Sequence, residues 1–162
     1  GGMGGGDAAG TTLVDSSREQ WDGTMTANVT STWLALKYQV PYMLEHGGGA
    51  IVNIASLAAY VGKSDASVAY SVAKAAVMQL TRVAATYYGA NGVRVNAIAP
   101  GLTGTPAVRR SLTPEQQIPK SHVIRRMVEP SEIAAAILWL CSDGAAMVTG
   151  QTIPVDGGWS AR

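Results

Sequence analysis

Cysteine, long apolar runs and clustered positive charge are scarce in this sequence. Their scarcity argues against disulfides, membrane-spanning helices and nucleic-acid binding, respectively. Cys141 is the only cysteine among 162 residues, so no internal disulfide can form. No apolar run reaches the roughly 20 residues of a membrane-spanning helix. The net charge is +1, and no basic stripe favours nucleic acid. Residues 1–10 carry neither basic residues nor an apolar block, so they do not resemble a secretory signal. We expect a cytoplasmic protein that binds neither membrane nor nucleic acid.

The remaining composition is that of a globular domain, because 47% of the residues are apolar and 14% are charged. Helical and strand-like patterns alternate along the chain. The predicted elements are a helix over 16–45, a strand over 50–56, a helix over 67–88, a strand over 93–100, a helix over 129–140 and a strand within 151–158. Such alternation predicts a parallel sheet with crossover helices. We expect one α/β domain spanning 1–162.

Local signals refine the boundaries of these elements. Ser16 and Glu19 have the spacing of a capping box at the start of the first helix. Pro41 should kink or interrupt that helix near its end. A loop is expected from the first strand to about Ala66, and short helices or irregular structure over 101–127.

Tyr70 and Lys74 stand four residues apart on the second predicted helix and therefore share a face. An ammonium beside a phenol lowers the pKa of the phenol from about 10, which suits acid/base chemistry. An isolated pair of this kind is more often solvated on a helix surface. However, Ser56 and the pair Pro100-Gly101 stand at the carboxyl ends of two predicted parallel strands, where active sites of open α/β sheets lie. Asn28 places an amide among apolar residues of the first predicted helix, and a polar side chain at such a position indicates a specific hydrogen-bonding role.

The segments around these residues resemble the short-chain dehydrogenase/reductase family. They are N-V-T-S-T-W at 28–33, G-A-I-V-N-I-A-S at 49–56, A-Y-S-V-A-K at 69–74, V-R-V-N-A-I-A-P-G-L-T-G-T at 93–105, E-P-S-E-I-A at 129–134 and V-D-G-G at 155–158. The resemblance runs from about Thr11 to the C-terminus. It implies a Rossmann-like, doubly wound parallel sheet with helices on both faces.

The resemblance also implies roles for the matching residues. Tyr70 would be the proton donor or acceptor, and Lys74 would lower the pKa of Tyr70 and bind the nicotinamide ribose. Ser56 would polarise the substrate oxygen, and Asn28 would position a water in a proton relay. The residues lining the nicotinamide would be Pro100, Gly101, Thr103 and Thr105. The implied reaction is hydride transfer between NAD(H) or NADP(H) and an alcohol/carbonyl pair. No metal site is expected, and His122 and Cys141 have no matching role.

One family feature has no counterpart here, namely the strand, glycine-rich turn and helix that bind the cofactor pyrophosphate. Residues 1–4 instead occupy the place of the family's N-N-A-G. We therefore expect an N-terminally truncated, partial domain, and the sequence does not distinguish NAD from NADP. The alternative is an inactive half-domain that acts only in association or in binding a small molecule. The composition of segment 106–127 is compatible with either an apolar or an anionic substrate.

Structural alternatives also stand beside the catalytic interpretation. Ser56 could be an ordinary strand-end serine, Asn28 a buried structural amide, and Thr103 and Thr105 plain turn residues. In the family, the helices that correspond to 16–45 and 67–88 pack against their copies, so the resemblance implies a homodimer or homotetramer.

Overall fold

A parallel three-stranded sheet with α-helices makes up the fold, which confirms the predicted α/β class. The computed structural model describes residues 11–62 and 67–161. The strands are β1 (Gly49–Ile54), β2 (Val93–Pro100) and β3 (Thr152–Val155), in that order across the sheet. The helices are α1 (Arg18–Met25), α2 (Ser31–Glu45), α3 (Val68–Tyr88), α4 (Pro106–Ser111) and α5 (Pro130–Cys141). None of the helices in the described part of the chain could cross a membrane.

Strand β2 is the centre of the sheet, and its alternate side chains face opposite layers. On one side Val93 and Val95 join a cluster with residues of α2 and α3, while Ala97 and Ala99 pack with Val77 of α3. On the other side the guanidinium of Arg94 donates to the carbonyl oxygen of Leu140 in α5, at 2.8 Å. A strand buried on both faces reads as a nearly continuous apolar run, as 93–100 does. Helices therefore cover both faces of the sheet.

The register brings the carboxyl ends of the three strands to one edge. Ile54 pairs with Ile98 in the first ladder, and Pro100 pairs with Val155 in the second. At the opposite edge two glycines allow the chain to cross closely. A Cβ on Gly48, whose φ is +104°, would lie 2.4 Å from the carbonyl oxygen of Gly92. Glycine is required at position 48 both by that contact and by its positive φ.

The first helix departs from the sequence prediction in two details. The capping box consists of Ser17 and Gln20, not Ser16 and Glu19, because Ser17 is the last residue with extended backbone angles before α1. Ser17 Oγ accepts from the Gln20 amide at 3.1 Å, and Gln20 Oε1 accepts from the Ser17 amide at 3.0 Å. Pro41 does not interrupt the helix, since α2 continues through it to Glu45, and the alternative of a kink there stays a prediction. Pro41 is exposed, and a carbonyl deprived of its helical donor on that side can turn toward solvent.

The other boundaries agree with prediction to within a few residues. The structure begins β1 at Gly49 and ends it at Ile54, so Ser56 follows the strand instead of closing it. The short helix α4 lies within 101–127, where short helices were expected. The predicted counterpart of N-N-A-G at 1–4 and the end of the loop at 63–66 lie outside the described residues.

Candidate active site

Helix α3 presents Tyr70 and Lys74 toward the carboxyl end of β1. The helix begins after Ser67, whose hydroxyl accepts from the Tyr70 amide at 3.1 Å and so fixes the first turn. Lys74 lies one turn further on the same face, and its Nζ is 5.5 Å from the centroid of the Tyr70 ring. The predicted spacing therefore does bring the two side chains together.

Lys74 is buried inside the protein and does not project from the helix surface. Only 3% of the residue is exposed, and Nζ donates to the carbonyl oxygen of Ile54 at 2.8 Å. Burial lowers the pKa of Lys74 because the charged form loses hydration. A solvated surface pair would show neither property, so the structure rules out that alternative for Lys74.

Ser56 joins this pair from the loop after β1. Its hydroxyl caps a short 3-10 turn by accepting from the Ala58 amide at 3.2 Å, and it also forms a side-chain hydrogen bond with Tyr70. Burial raises the pKa of Tyr70, and the Ser56 hydrogen bond opposes that rise. The Lys74 ammonium lies over the Tyr70 ring and donates to the carbonyl oxygen of Ile54, so the lowering of the Tyr70 pKa by Lys74 stays a prediction.

Asn28 lies in a π-helical turn, Thr26–Thr30, that joins α1 to α2. Such turns are frequent at functional sites because they re-aim side chains within a helix. Asn28 is 3% exposed, and its Nδ2 donates to the carbonyl oxygen of Thr24 at 3.0 Å. Its Oδ1 is buried without a hydrogen-bond partner among the described residues. Asn28 therefore has a structural bond and a spare acceptor that a water molecule could satisfy.

The last residue of β2 and the segment after it contain the four residues assigned to the nicotinamide. The Gly101 amide donates to the carbonyl oxygen of Val155 at 2.9 Å. A Cβ at this glycine would lie 2.8 Å from the Cα of Asp156, so only glycine allows the close approach. The Thr103 hydroxyl donates to the Gly101 carbonyl at 3.1 Å, and the Thr105 hydroxyl caps α4 by accepting from the Val108 amide at 3.3 Å. Both hydroxyls therefore form local hydrogen bonds that stabilise the segment between β2 and α4.

A cavity of about 210 Å³ brings the loops after β1 and β2 together. Ser56 borders it on one side, and Pro100 and Gly101 border it on the other. The remaining lining residues are Leu57, Ala58, Val61, Leu102 and Trp159. The structure therefore gathers Ser56, Pro100 and Gly101 around one space, while Tyr70 and Lys74 reach this region through Ser56 and Ile54. Thr103 and Thr105 do not line it.

Two residues of this region were missed by the sequence reasoning. Trp159 follows the V-D-G-G turn and lines the cavity. His122 is fully buried, its ring lies 5.6 Å from the Trp159 ring, and its Nδ1 donates to the carbonyl oxygen of Arg126 at 2.9 Å. His122 Nε2 has no partner among the described residues. Both residues lie in irregular segments without periodicity, and only the nearby glycine pair of the turn hinted at close packing.

The chemistry of these groups fits a nicotinamide nucleoside better than a metal. A hydroxyl, a phenol and a buried ammonium stand at one edge of the sheet, beside a glycine that admits a close neighbour. In contrast, no group of three or more histidine, cysteine, aspartate or glutamate side chains could hold a metal ion within residues 11–62 and 67–161.

Comparison with known proteins agrees with this geometry. A family profile described as enoyl-(acyl carrier protein) reductase matches residues 2–160. The chain is 44% identical, over 158 residues, to a 2,5-dichloro-2,5-cyclohexadiene-1,4-diol dehydrogenase of Sphingobium indicum. That alignment covers 94% of this chain and 63% of the relative, so the chain spans less than two thirds of the curated protein it matches.

Solved structures give the same result. A short-chain type dehydrogenase/reductase from Mycobacterium ulcerans superposes with a TM-score of 0.88 at 35% identity, covering 98% of this chain and 58% of that one. A 7α-hydroxysteroid dehydrogenase, solved with NADH and 7-oxo glycochenodeoxycholic acid, superposes with a TM-score of 0.85 at 36% identity. That match covers 96% of this chain and 61% of the other.

Proposed function

This chain belongs to the short-chain dehydrogenase/reductase family, and we propose that it is an oxidoreductase, or the catalytic part of one, acting on an alcohol/carbonyl pair with NAD(H) or NADP(H). One observation carries the proposal. The buried Lys74 places its Nζ 5.5 Å from the centroid of the Tyr70 ring at the carboxyl end of the sheet, and Ser56 interacts with the Tyr70 phenol. The relative named for a cyclohexadiene-diol supports a small alcohol as the substrate.

The cofactor, when bound, supplies or accepts the hydride, and the protein supplies orientation and proton transfer. The residues that would hold its nicotinamide half are Tyr70, Lys74, Pro100, Gly101, Thr103 and Thr105. Lys74 has two N–H groups beyond the one that binds Ile54, and they are the donors we assign to the ribose hydroxyls. The choice between NAD and NADP stays open in this proposal.

Tyr70 is the general acid or base of the proposed reaction. Because burial raises the pKa of Tyr70, its phenol is protonated at neutral pH and can donate to a carbonyl oxygen during reduction. Ser56 holds the same oxygen by its hydroxyl. We assign Asn28 Oδ1 to a water molecule that returns protons toward Lys74, since this acceptor is buried and lacks a protein partner among the described residues.

Deuterium transfer tests the oxidoreductase proposal directly. The purified protein is mixed with a cyclic ketone and a reduced cofactor that carries deuterium at both C4 positions of the nicotinamide ring, and the product alcohol is analysed by mass spectrometry. We expect the label on the carbinol carbon with one of the two cofactors. Tyr70→Phe should abolish the transfer, while Tyr87→Phe, a matched change at a side chain that is 72% exposed, should not. Unlabelled product, or none with either cofactor, would refute the proposal.

Self-association is a second part of the proposal. An apolar groove of about 370 Å³ runs between α2 and α3, and its lining includes exposed Trp33, Val83 and Tyr87. Exposed apolar area of this kind is typical of contact surfaces. We propose a homodimer or homotetramer formed through these helices. A reducing cytoplasm also belongs to the proposal, since Cys141 is an exposed free thiol.

A further inference from the structure

The cavity beside Ser56 is small and apolar. Its volume is about 210 Å³, whereas pockets for drug-sized ligands range from about 300 to 1,000 Å³. Beyond Ser56, the walls are backbone and the side chains of Leu57, Ala58, Val61, Pro100, Leu102 and Trp159. A compact hydrocarbon body fits this lining, with the single hydroxyl of Ser56 available for one polar group.

Trp159 has the largest side chain in the lining of this cavity, and hydrogen bonds and a ring contact fix the turn in which it lies. The Asp156 carboxylate accepts from the Gly158 amide at 2.9 Å and from the Ser160 amide at 2.8 Å. The buried His122 ring lies 5.6 Å from the indole. Because these contacts fix the turn on both sides of Trp159, the wall has a defined position and so sets a size limit.

No charged side chain lines the cavity among the described residues. Arg109, the nearest arginine in the chain after Gly101, pairs with Glu129 and donates to the carbonyl oxygen of Gly104 at 3.0 Å. The Asp156 carboxylate is committed to backbone amides. A carboxylate or phosphate on the substrate would therefore lose hydration in the cavity without gaining a counter-ion, which is costly. Of the two substrate classes left open by segment 106–127, this favours the apolar one.

We infer that this cavity takes the body of an uncharged, compact carbocyclic alcohol or ketone, and that Trp159 is a specificity-determining residue that limits its size. An indole is a flat apolar surface of the kind on which a six-membered ring packs. This inference rests on the proposed function, because Ser56 must hold the reacting oxygen. It adds the substrate class and a residue outside the acid/base set.

Three probes of graded size and charge test this inference. They are cyclohexanol, the fused bicyclic decahydronaphthol, and hydroxycyclohexanecarboxylate, which adds a negative charge to the single ring. We expect the parent protein to prefer cyclohexanol over each of the others by about tenfold or more in kcat/KM, the scale on which pocket fit discriminates. Trp159→Ala should shift the ratio of bicyclic to monocyclic turnover by about tenfold toward the bicyclic alcohol. Trp159→Phe should shift it less.

Trp139→Ala is the matched control, because this tryptophan is 45% exposed on α5 and does not line the cavity. It should leave the preference unchanged, and thermal melting should show that each variant is folded. The inference is overturned if Trp159→Ala and Trp139→Ala give the same size ratio. It is also overturned if the carboxylate is turned over as well as cyclohexanol.

Ligand binding separates this inference from the proposed function. Saturation-transfer NMR detects whether cyclohexanol and decahydronaphthol contact the protein, whether or not any turnover occurs. Selective binding of cyclohexanol that is lost with Trp159→Ala, together with no hydride transfer by any variant, would refute the oxidoreductase proposal and support the subsite. An absence of cyclohexanol binding would refute the subsite even if another alcohol were oxidised.

Discussion

Lys74 Nζ donates to the carbonyl oxygen of Ile54 at 2.8 Å, which ties helix α3 to the last residue of strand β1. The bond leaves the ammonium buried beside the Tyr70 ring, with one main-chain oxygen as its described partner. This contact fixes the position of the proposed acid/base pair relative to the sheet. We therefore expect substitution of Lys74 to change both the turnover and the pH dependence of stability.

Lys74→Met removes the ammonium but keeps a long apolar side chain in the same space. We expect turnover to fall by about a hundredfold or more, as for other groups that act in proton transfer. Lys74→Arg should not restore it, because a planar guanidinium does not fit a site that is 3% exposed. Steady-state kinetics tests both variants, and recovery by arginine would contradict the buried geometry.

Lys74 also predicts a pH dependence of stability. Burial lowers the pKa of Lys74 in the folded protein, so the unfolded chain binds more protons below the ordinary lysine value of 10.5. Stability should therefore rise with pH between the lowered pKa and 10.5 in the parent relative to Lys74→Met. Denaturant unfolding of both proteins over this window measures the difference, and parallel curves would argue against a buried ammonium.

Tyr70→Phe deletes one oxygen from the site. We expect a loss of about 10² to 10⁴ in kcat with an unchanged melting temperature, because the ring that packs near Lys74 is retained. Tyr87→Phe controls for the loss of a phenol elsewhere on α3, since Tyr87 is 72% exposed. A Tyr70→Phe variant with at least a third of the parent rate would remove tyrosine from the proposed chemistry.

Ser56 predicts the direction in which the Tyr70 titration moves. Burial raises the pKa of Tyr70 above 10.0, and the Ser56 hydrogen bond partly offsets this. Ser56→Ala removes only the second effect, so the pKa of Tyr70 should rise further. Tyr60 also titrates late because burial raises its pKa, and Ser56→Ala should leave Tyr60 in place. Ultraviolet titration of both proteins measures the pKa of Tyr70, and Tyr70→Phe assigns its signal. A lower pKa of Tyr70 in Ser56→Ala would be inconsistent with the hydrogen bond.

Much of the fold and half of the site could be read from the sequence. The alternation of helical and strand-like segments predicts a parallel sheet with crossover helices, because each strand must be followed by an element that returns the chain to the same end of the sheet. Tyr70, Lys74 and Ser56 could be predicted as site residues because spacing on a helix and position at a strand end are local properties, and because the surrounding motifs resemble the family. Local sequence patterns were therefore sufficient to predict residues that lie in or directly after regular elements.

The remaining features depend on contacts between segments that are distant in sequence. The pKa direction of Tyr70 follows from burial, which the spacing to Lys74 does not report. Trp159 and Gly101 are 58 residues apart in the chain but line the same cavity, because β2 and β3 pair in parallel. The commitment of Arg109 to Glu129 likewise depends on tertiary packing. Sequence patterns alone thus left the substrate class open.

The groove between α2 and α3 predicts how self-association can be disrupted. Val83→Glu places a charge in the middle of this apolar surface, where Val83 is 42% exposed, and should convert the proposed oligomer to monomers. Thr86→Glu adds the same charge to the same helix but outside the groove, and should not. Sedimentation velocity measures both proteins. A monomeric parent, or equal effects of the two variants, would contradict an interface at this groove.

His122 predicts a link between stability and substrate binding. His122→Ala leaves the Arg126 carbonyl without its donor and empties the space against Trp159 and Gly157. Loss of this hydrogen bond alone costs about 0.5–1.5 kcal/mol, and the space left by the buried ring adds to the loss, which denaturant unfolding resolves. His46→Ala is the control, since His46 is exposed and its substitution should reduce the free energy of unfolding less.

Because His122 supports the Trp159 wall, the KM for cyclohexanol should rise in His122→Ala more than kcat falls. His122→Gln keeps an N–H donor and should recover part of the stability. Equal losses for the His122 and His46 variants would mean that this buried imidazole does not support the turn.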